Sequence, residues 1–229
     1  MKLIDRIHHK LIKIRLQPIR VFCFHHVSNT FDESTMKKGD WLQTEKFKQA
    51  IEKLRGEGYV FVSLAEANEK LIHDVFRWRK YAVLTADDGW ASICNILPWL
   101  NEQQIPITLF LNPAYLDGKH FRERETEQYL NETEVEQLYL HYPLVTIGSH
   151  GWMHVETITQ TEEEFACSVK RSVDWLKGLN NYVPFFAFPY GRCKRNQRWV
   201  IKKKDLVPIL LSGNPNYHDN EIIDRELLK

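Results

Sequence analysis

Short runs of apolar, β-branched and aromatic residues recur along the chain: IRVFCF (19–24), YVFV (59–62), YAVLT (81–85), ITLFL (107–111), LVTIGS (144–149), PFFAF (184–188) and PILLS (208–212). Each has the length of a strand and is apolar at successive positions, as strands covered on both faces are. Between them lie longer charged segments with helical spacing of apolar residues, near 44–56, 64–76, 91–104, 131–141, 161–179 and 194–204. Thr44, and Thr161 with Glu164 three positions on, mark helix starts. Strands alternating with helices predict parallel β/α units, in a barrel or an open sheet, and seven of them favour the barrel. The polar stretch 112–130 predicts a long loop over one end of the sheet. No internal repeat, low-complexity run or Pro/Gly linker divides the chain, so residues 19–229 read as one domain.

Residues 1–18 form a separate element. Leu3, Ile4, Ile7, Leu11, Ile12 and Ile14 fall on helical spacing with Lys and Arg between them, the pattern of a basic amphipathic helix. Such a helix either packs on its own domain or makes peripheral contact with an anionic membrane.

Charge narrows the function classes. The 31 basic and 30 acidic residues leave a net charge of +1, and Lys and Arg read as dispersed, which argues against nucleic acid as a partner. The four cysteines, Cys23, Cys94, Cys167 and Cys193, lack C-x-x-C spacing and read as reduced, half-buried thiols. No apolar window is long enough for a membrane span and the start lacks a signal-peptide core, so a cytoplasmic protein is expected, with the inner face of the membrane as a place of contact.

In parallel β/α folds the strand C-terminal ends converge on one face, where sites form. FHH (24–26), ADDG (86–89), SHGWMH (149–154) and FPYG (188–191) all follow strand runs. Asp-Asp-Gly is also good turn chemistry. Adjacent carboxylates at a barrel mouth repel each other, however, and a cation or separate roles would relieve that. His150 and His154 have the i, i+4 spacing that aims two imidazoles at one metal, a pair that also arises by chance among ten histidines. Gly151 between them removes the H-E-x-x-H protease reading. One carboxylate with two imidazoles is a donor set for catalytic zinc.

TADDG, then HGWMH, then FAFPYG, in that order, resemble the first three motifs of the polysaccharide deacetylases, also called the NodB homology domain or carbohydrate esterase family 4. The resemblance implies a distorted (β/α)7 barrel that hydrolyses N-acetyl groups of amino sugars with a divalent metal, usually zinc. Laid on this sequence, it implies Asp87 as general base, Asp88, His150 and His154 as metal ligands, and the Tyr190 backbone N–H as oxyanion donor. Ala86 replaces the usual aromatic residue and Ala187 stands near the usual arginine, so the tether of the catalytic aspartate is expected to be absent. Nothing after Gly191 resembles the late motifs that carry the general acid. Circularly permuted branches begin with that last strand, and VFCFHHV resembles their opening; His25 then takes the acid's place, across the metal from Asp87, and His26 a supporting one. Trp90, Tyr115, Trp152 and Tyr190 are candidates for a sugar platform, though aromatic residues also fill cores. The expected partner is an N-acetylated sugar or oligosaccharide. The rival is a degenerate domain that binds a glycan without turning it over.

Overall fold

In a computed structural model of the chain, residues 16–30, 41–74, 76–117, 128–217 and 221–229 are described. The strands are β1 (Ile19–Phe24), β2 (His26–Val27), β3 (Trp41–Leu42), β4 (Tyr59–Phe61), β5 (Lys80–Asp88), β6 (Ile107–Leu111), β7 (Val145–Ser149), β8 (Tyr182–Ala187), β9 (Val207–Leu211) and β10 (Ile223–Leu227). The helices are α1 (Thr44–Gly56), α2 (Leu64–His73), α3 (Leu97–Glu102), α4 (Glu132–His141), α5 (Glu162–Leu176) and α6 (Arg195–Lys202). The amphipathic helix expected over 1–18 lies almost wholly outside the described residues; Leu16 makes a single bridge to Arg77 and the chain enters β1 at Ile19.

Seven strands close a parallel barrel in the order β1-β10-β9-β8-β7-β6-β5, with β5 pairing back to β1 from Ile19↔Tyr81 to Phe24↔Ala86. The (β/α)7 class expected from the pattern is therefore correct, but one of the seven strands is not the one expected. YVFV forms β4, which pairs only with the start of β5, at Lys80 to Ala82, while β6 takes over at Leu84. The seventh barrel strand is β10, IDREL, inserted between β1 and β9. Its apolar signal is broken because Arg225 occupies an inward position, and a buried arginine reads as a loop residue in a pattern search. Charge also holds this strand in place, since Arg20 of β1 pairs with Glu226.

Barrel interiors are packed, and here Ile19, Val21, Val83, Ile209 and Ile223 fill the end where the strands start, capped by Leu64, Ala67 and Leu71 of α2. The opposite end is left for polar side chains. A register shift between Ile147 and Ser149 distorts β7 just before His150. Gly148 lies there because a Cβ would stand 2.5 Å from the Phe110 ring and 3.0 Å from the Phe185 carbonyl oxygen. Helix α5 starts as expected, with Thr161 and Glu164 forming a reciprocal capping box that contributes about 1 kcal/mol. Thr44 is instead the first residue of α1, after Gln43, whose side chain makes no cap. Among the described residues no helix is long and apolar enough to cross a membrane. All four cysteines are free, with Cys23 buried, Cys193 half-buried, and Cys94 and Cys167 exposed.

Candidate active site

The four polar strand ends named above meet at one mouth of the barrel. Asp87 and Asp88 close β5, and Asp88 takes a left-handed φ of 73°, a conformation that costs about 1 kcal/mol or more outside glycine. The two carboxylates consequently have different surroundings. Asp88 Oδ1 stands 3.4 Å from His150 Nε2 and 3.4 Å from His154 Nε2. These three groups bring their ligand atoms within 4.8 Å of one another.

The orientation of His150 is set from behind. Its Nδ1 lies 2.8 Å from the Ala187 carbonyl oxygen, which can only accept, so the proton sits on Nδ1 and the Nε2 lone pair faces Asp88. Burial lowers the His150 pKa against the pull of Asp87 and Asp88, which favours the neutral ligand form. The Asn112 amide donates to the carbonyls of His150 and Gly151 at 2.7 and 3.2 Å, and the His154 N–H donates to the Tyr115 hydroxyl at 3.0 Å. Both contacts fix the loop that carries the histidines.

Two of the four aromatic residues expected as a sugar platform, Trp90 and Tyr115, do a different job. Trp90, Tyr129 and Tyr115 are buried and stack in that order, with ring centroids 4.1 and 4.9 Å apart. His26 joins the stack against Trp90 at 4.3 Å, the supporting place expected of it. The Trp90 indole N–H donates to Asp88 Oδ2 at 3.3 Å. Through Trp90 and Tyr115 this stack braces Asp88 and the His154 segment. Only Trp152, half-buried under Arg171, and Tyr190, 50% exposed with its ring 4.7 Å from that of His154, face outward near the mouth. Tyr190 is left-handed, at φ 59°.

Asp87 has a tether after all, and it comes from the far end of the chain. Arg225 donates from Nη1 to Oδ1 at 2.6 Å and from Nη2 to Oδ2 at 2.8 Å, a two-pronged clamp, and also reaches Thr85 Oγ1 at 3.1 Å. The expectation that the tether is missing is therefore corrected: strand β10 supplies from one side what the segment before Pro189 lacks. Burial pushes the Asp87 carboxyl upward, but the Arg225 charge, His150 and the clamp outweigh it and hold it below the usual carboxylate range. The same attraction keeps the buried Arg225 charged. Cys23, buried on β1 between the strands that carry Asp87 and Arg225, places its thiol 3.4 Å from Asp87 Oδ2, and burial raises its pKa well above the usual thiol value. Neither Arg225 nor Cys23 was singled out from sequence for this site. The one trace is Ile223, Arg225 and Leu227 alternating in IDREL.

His25 reaches the mouth, but on the same side as Asp87. A ring nitrogen, the Cys23 sulfur and an Asp87 oxygen lie within 4.8 Å of one another. The expectation of an imidazole opposite Asp87 fails because β1 and β5 pair directly, Phe24 against Ala86, so the residues that follow are neighbours. His25 Nδ1 is buried without a hydrogen-bond partner.

The barrel of seven parallel strands carries two carboxylates and two histidines at its mouth, and Asp88, His150 and His154 could hold a metal ion. The polysaccharide deacetylase family model matches residues 77–209, more than half of the chain. The chain belongs to the polysaccharide deacetylases, hydrolases that remove N-acetyl groups from glycans. Among solved structures it is similar to IcaB from Ammonifex degensii, with 21% identity, a TM-score of 0.77, and coverage of 94% of this chain and 93% of that one. The deacetylase PplD of Streptococcus pyogenes, solved in complex with acetate, gives 18% identity, a TM-score of 0.79 and coverage of 93% and 92%. A de-N-acetylase from Aggregatibacter actinomycetemcomitans gives 17%, 0.76, and coverage of 93% and 95%. At these identities the structures speak for the fold. No curated protein is significantly similar in sequence.

Proposed function

We propose that the chain is a metal-dependent N-deacetylase of an amino sugar in a glycan or glycan precursor, with one divalent ion, zinc, held by Asp88, His150 and His154. The observation that carries this reading is the division of labour between neighbouring carboxylates: Asp88 stands 3.4 Å from both imidazoles, while Asp87 is clamped by Arg225 and of the two approaches only His150, at 3.9 Å. The donor set fits such an ion, with three protein ligands of the right types, and with His150 oriented by its carbonyl partner. When bound, a divalent cation supplies the Lewis acidity that polarises the acetamide carbonyl and makes water more acidic.

The chain's own residues account for the proton traffic. Asp87, ionised and fixed by two hydrogen bonds from Arg225, accepts a proton from the attacking water. The Tyr190 backbone N–H donates to the oxyanion as the carbonyl carbon becomes tetrahedral. His25 gives a proton to the sugar nitrogen as the C–N bond breaks, so acetate and a free amine leave. Its unpartnered Nδ1 and strand-end position support this role, exerted from the Asp87 side of the mouth rather than from across it. The rival reading, a glycan-binding domain without catalysis, draws on a missing tether for Asp87 and on the missing late motifs; Arg225 removes the first ground.

Acetate release from a panel of N-acetylated sugar nucleotides and oligosaccharides, with and without chelator and with zinc restored, tests the proposal. No release from any substrate by the metal-loaded protein, or release indifferent to chelator, would overturn it.

A further inference from the structure

The charge of this chain is nearly balanced overall, yet one stretch is not. RCKRNQRWVIKKK, residues 192–204, holds seven of the 31 Lys and Arg and no Asp or Glu. The expectation of dispersed cations is therefore wrong locally, and the fold concentrates them further. Helix α6 turns Gln197, Val200 and Ile201 into the core, so that Lys194, Arg195, Trp199 and Lys203 lie outside. Among the described residues only two of the seven are in ion pairs, Arg192 with Glu156 at 3.6 Å and Lys202 with Glu221.

An exposed tryptophan sits in the middle of this charge. Trp199 is 58% exposed and, with Arg195, Arg198, Lys202 and Ile222, borders a shallow cleft of about 250 Å³. A second cleft of about 190 Å³ shares Lys202, Glu221 and Ile222 with the first and is bordered by Ile72, 47% exposed, from α2. The surface is thus a basic field with apolar side chains running through it from α6 to α2. A soluble polyanion needs only the cations. An indole left in water among them is stabilised where one end meets an apolar phase and the other stays wet.

We propose that this face docks on a bilayer containing anionic lipid, its cations at the headgroups and Trp199 at the acyl boundary. A further feature points the same way. The described chain starts at Leu16, paired with Arg77 just past the end of α2, and the fifteen residues before it combine Leu and Ile with Lys and Arg. In composition that segment suits the same lipid surface. The proposal is independent of the deacetylase chemistry, since none of these residues touches the barrel mouth cluster.

Sedimentation of the full chain with vesicles tests it, comparing phosphatidylcholine alone with phosphatidylcholine containing about a third phosphatidylglycerol, near physiological ionic strength. Binding is expected only with the anionic vesicles. The combined variant Arg195→Gln/Arg198→Gln/Lys203→Gln, in which Arg195 and Lys203 are exposed and Arg198 is half-buried against Cys193, should weaken it by about a hundredfold. Trp199→Ala should weaken vesicle binding by about fivefold while leaving retention of soluble polyphosphate or duplex DNA unchanged, which separates a lipid surface from a soluble polyanion. Equal binding to both vesicle types, or a triple variant that binds as the parent does, overturns the proposal. So does a Trp199→Ala variant with undiminished vesicle binding. A thermal melt confirms that each variant is folded.

Discussion

Replacing Arg225 by methionine removes the clamp on Asp87 and leaves a carboxylate that is 4% exposed without its counter-charge. Breaking one side of a buried ion pair costs about 3–5 kcal/mol, and for a domain of this size that corresponds to a fall in Tm of roughly 6–20 °C. Part of the cost is escaped if Asp87 takes up a proton, because burial pushes its pKa up once Arg225 no longer holds it down. The sign follows: with Arg225 present the folded carboxyl is more acidic than the unfolded one, so the stabilisation is complete above about pH 4 and is lost as pH falls toward the folded value. In Arg225→Met the acid limb of kcat/KM should move to higher pH and the acid-side stability should flatten. Activity should drop by about 10²- to 10⁴-fold, the worth of a general base, while metal content is unchanged because Arg225 contacts no proposed ligand. Arg225→Lys keeps the charge without the fork and should recover stability better than rate. The double variant Asp87→Asn/Arg225→Met should be more stable than Arg225→Met alone. Differential scanning fluorimetry, metal analysis and pH-resolved acetate release read these outcomes. An Arg225→Met protein with parental Tm and kcat, or one that loses its metal, would refute the reasoning.

Three other outcomes are expected. Asp87→Asn should keep the metal and lose most activity whereas Asp88→Asn, His150→Ala and His154→Ala should each lose metal by elemental analysis; the reverse pattern for the two aspartates would exchange their roles. His25→Ala should lose about 10²- to 10⁴-fold on an N-acetyl substrate, whose amine leaves only when protonated, and far less on an activated ester; equal losses on both would remove His25 from the acid's place. Gly148→Ala should destabilise the fold by about 1–3 kcal/mol, because a Cβ there meets the Phe110 ring at 2.5 Å, and a variant melting with the parent would show that β7 yields more readily than its packing suggests.

Much of this protein is local and so is written along the chain. Strands covered on both faces announce themselves by continuous apolar runs, helix starts by Thr161 with Glu164, and the mouth of the barrel by polar residues that directly follow strands. That was enough to bring Asp87, Asp88, His25, His150 and His154 to one end of the fold. What the sequence could not decide was how distant segments complete one another. YVFV is as apolar as a barrel strand yet stays outside, because β6 takes the edge of β5 that β4 leaves. IDREL is poor in apolar residues yet closes the barrel, because its Arg225 is neutralised by a partner 138 positions away. A buried charge is unfavourable until its partner is in place, and no window of sequence contains both. The aromatic residues follow the same rule, since whether Trp90 greets a sugar or braces Asp88 depends on what the fold stacks against it. Local patterning settled most of the elements, and long-range pairing of polar groups settled which strand closes the barrel and which arginine holds the base.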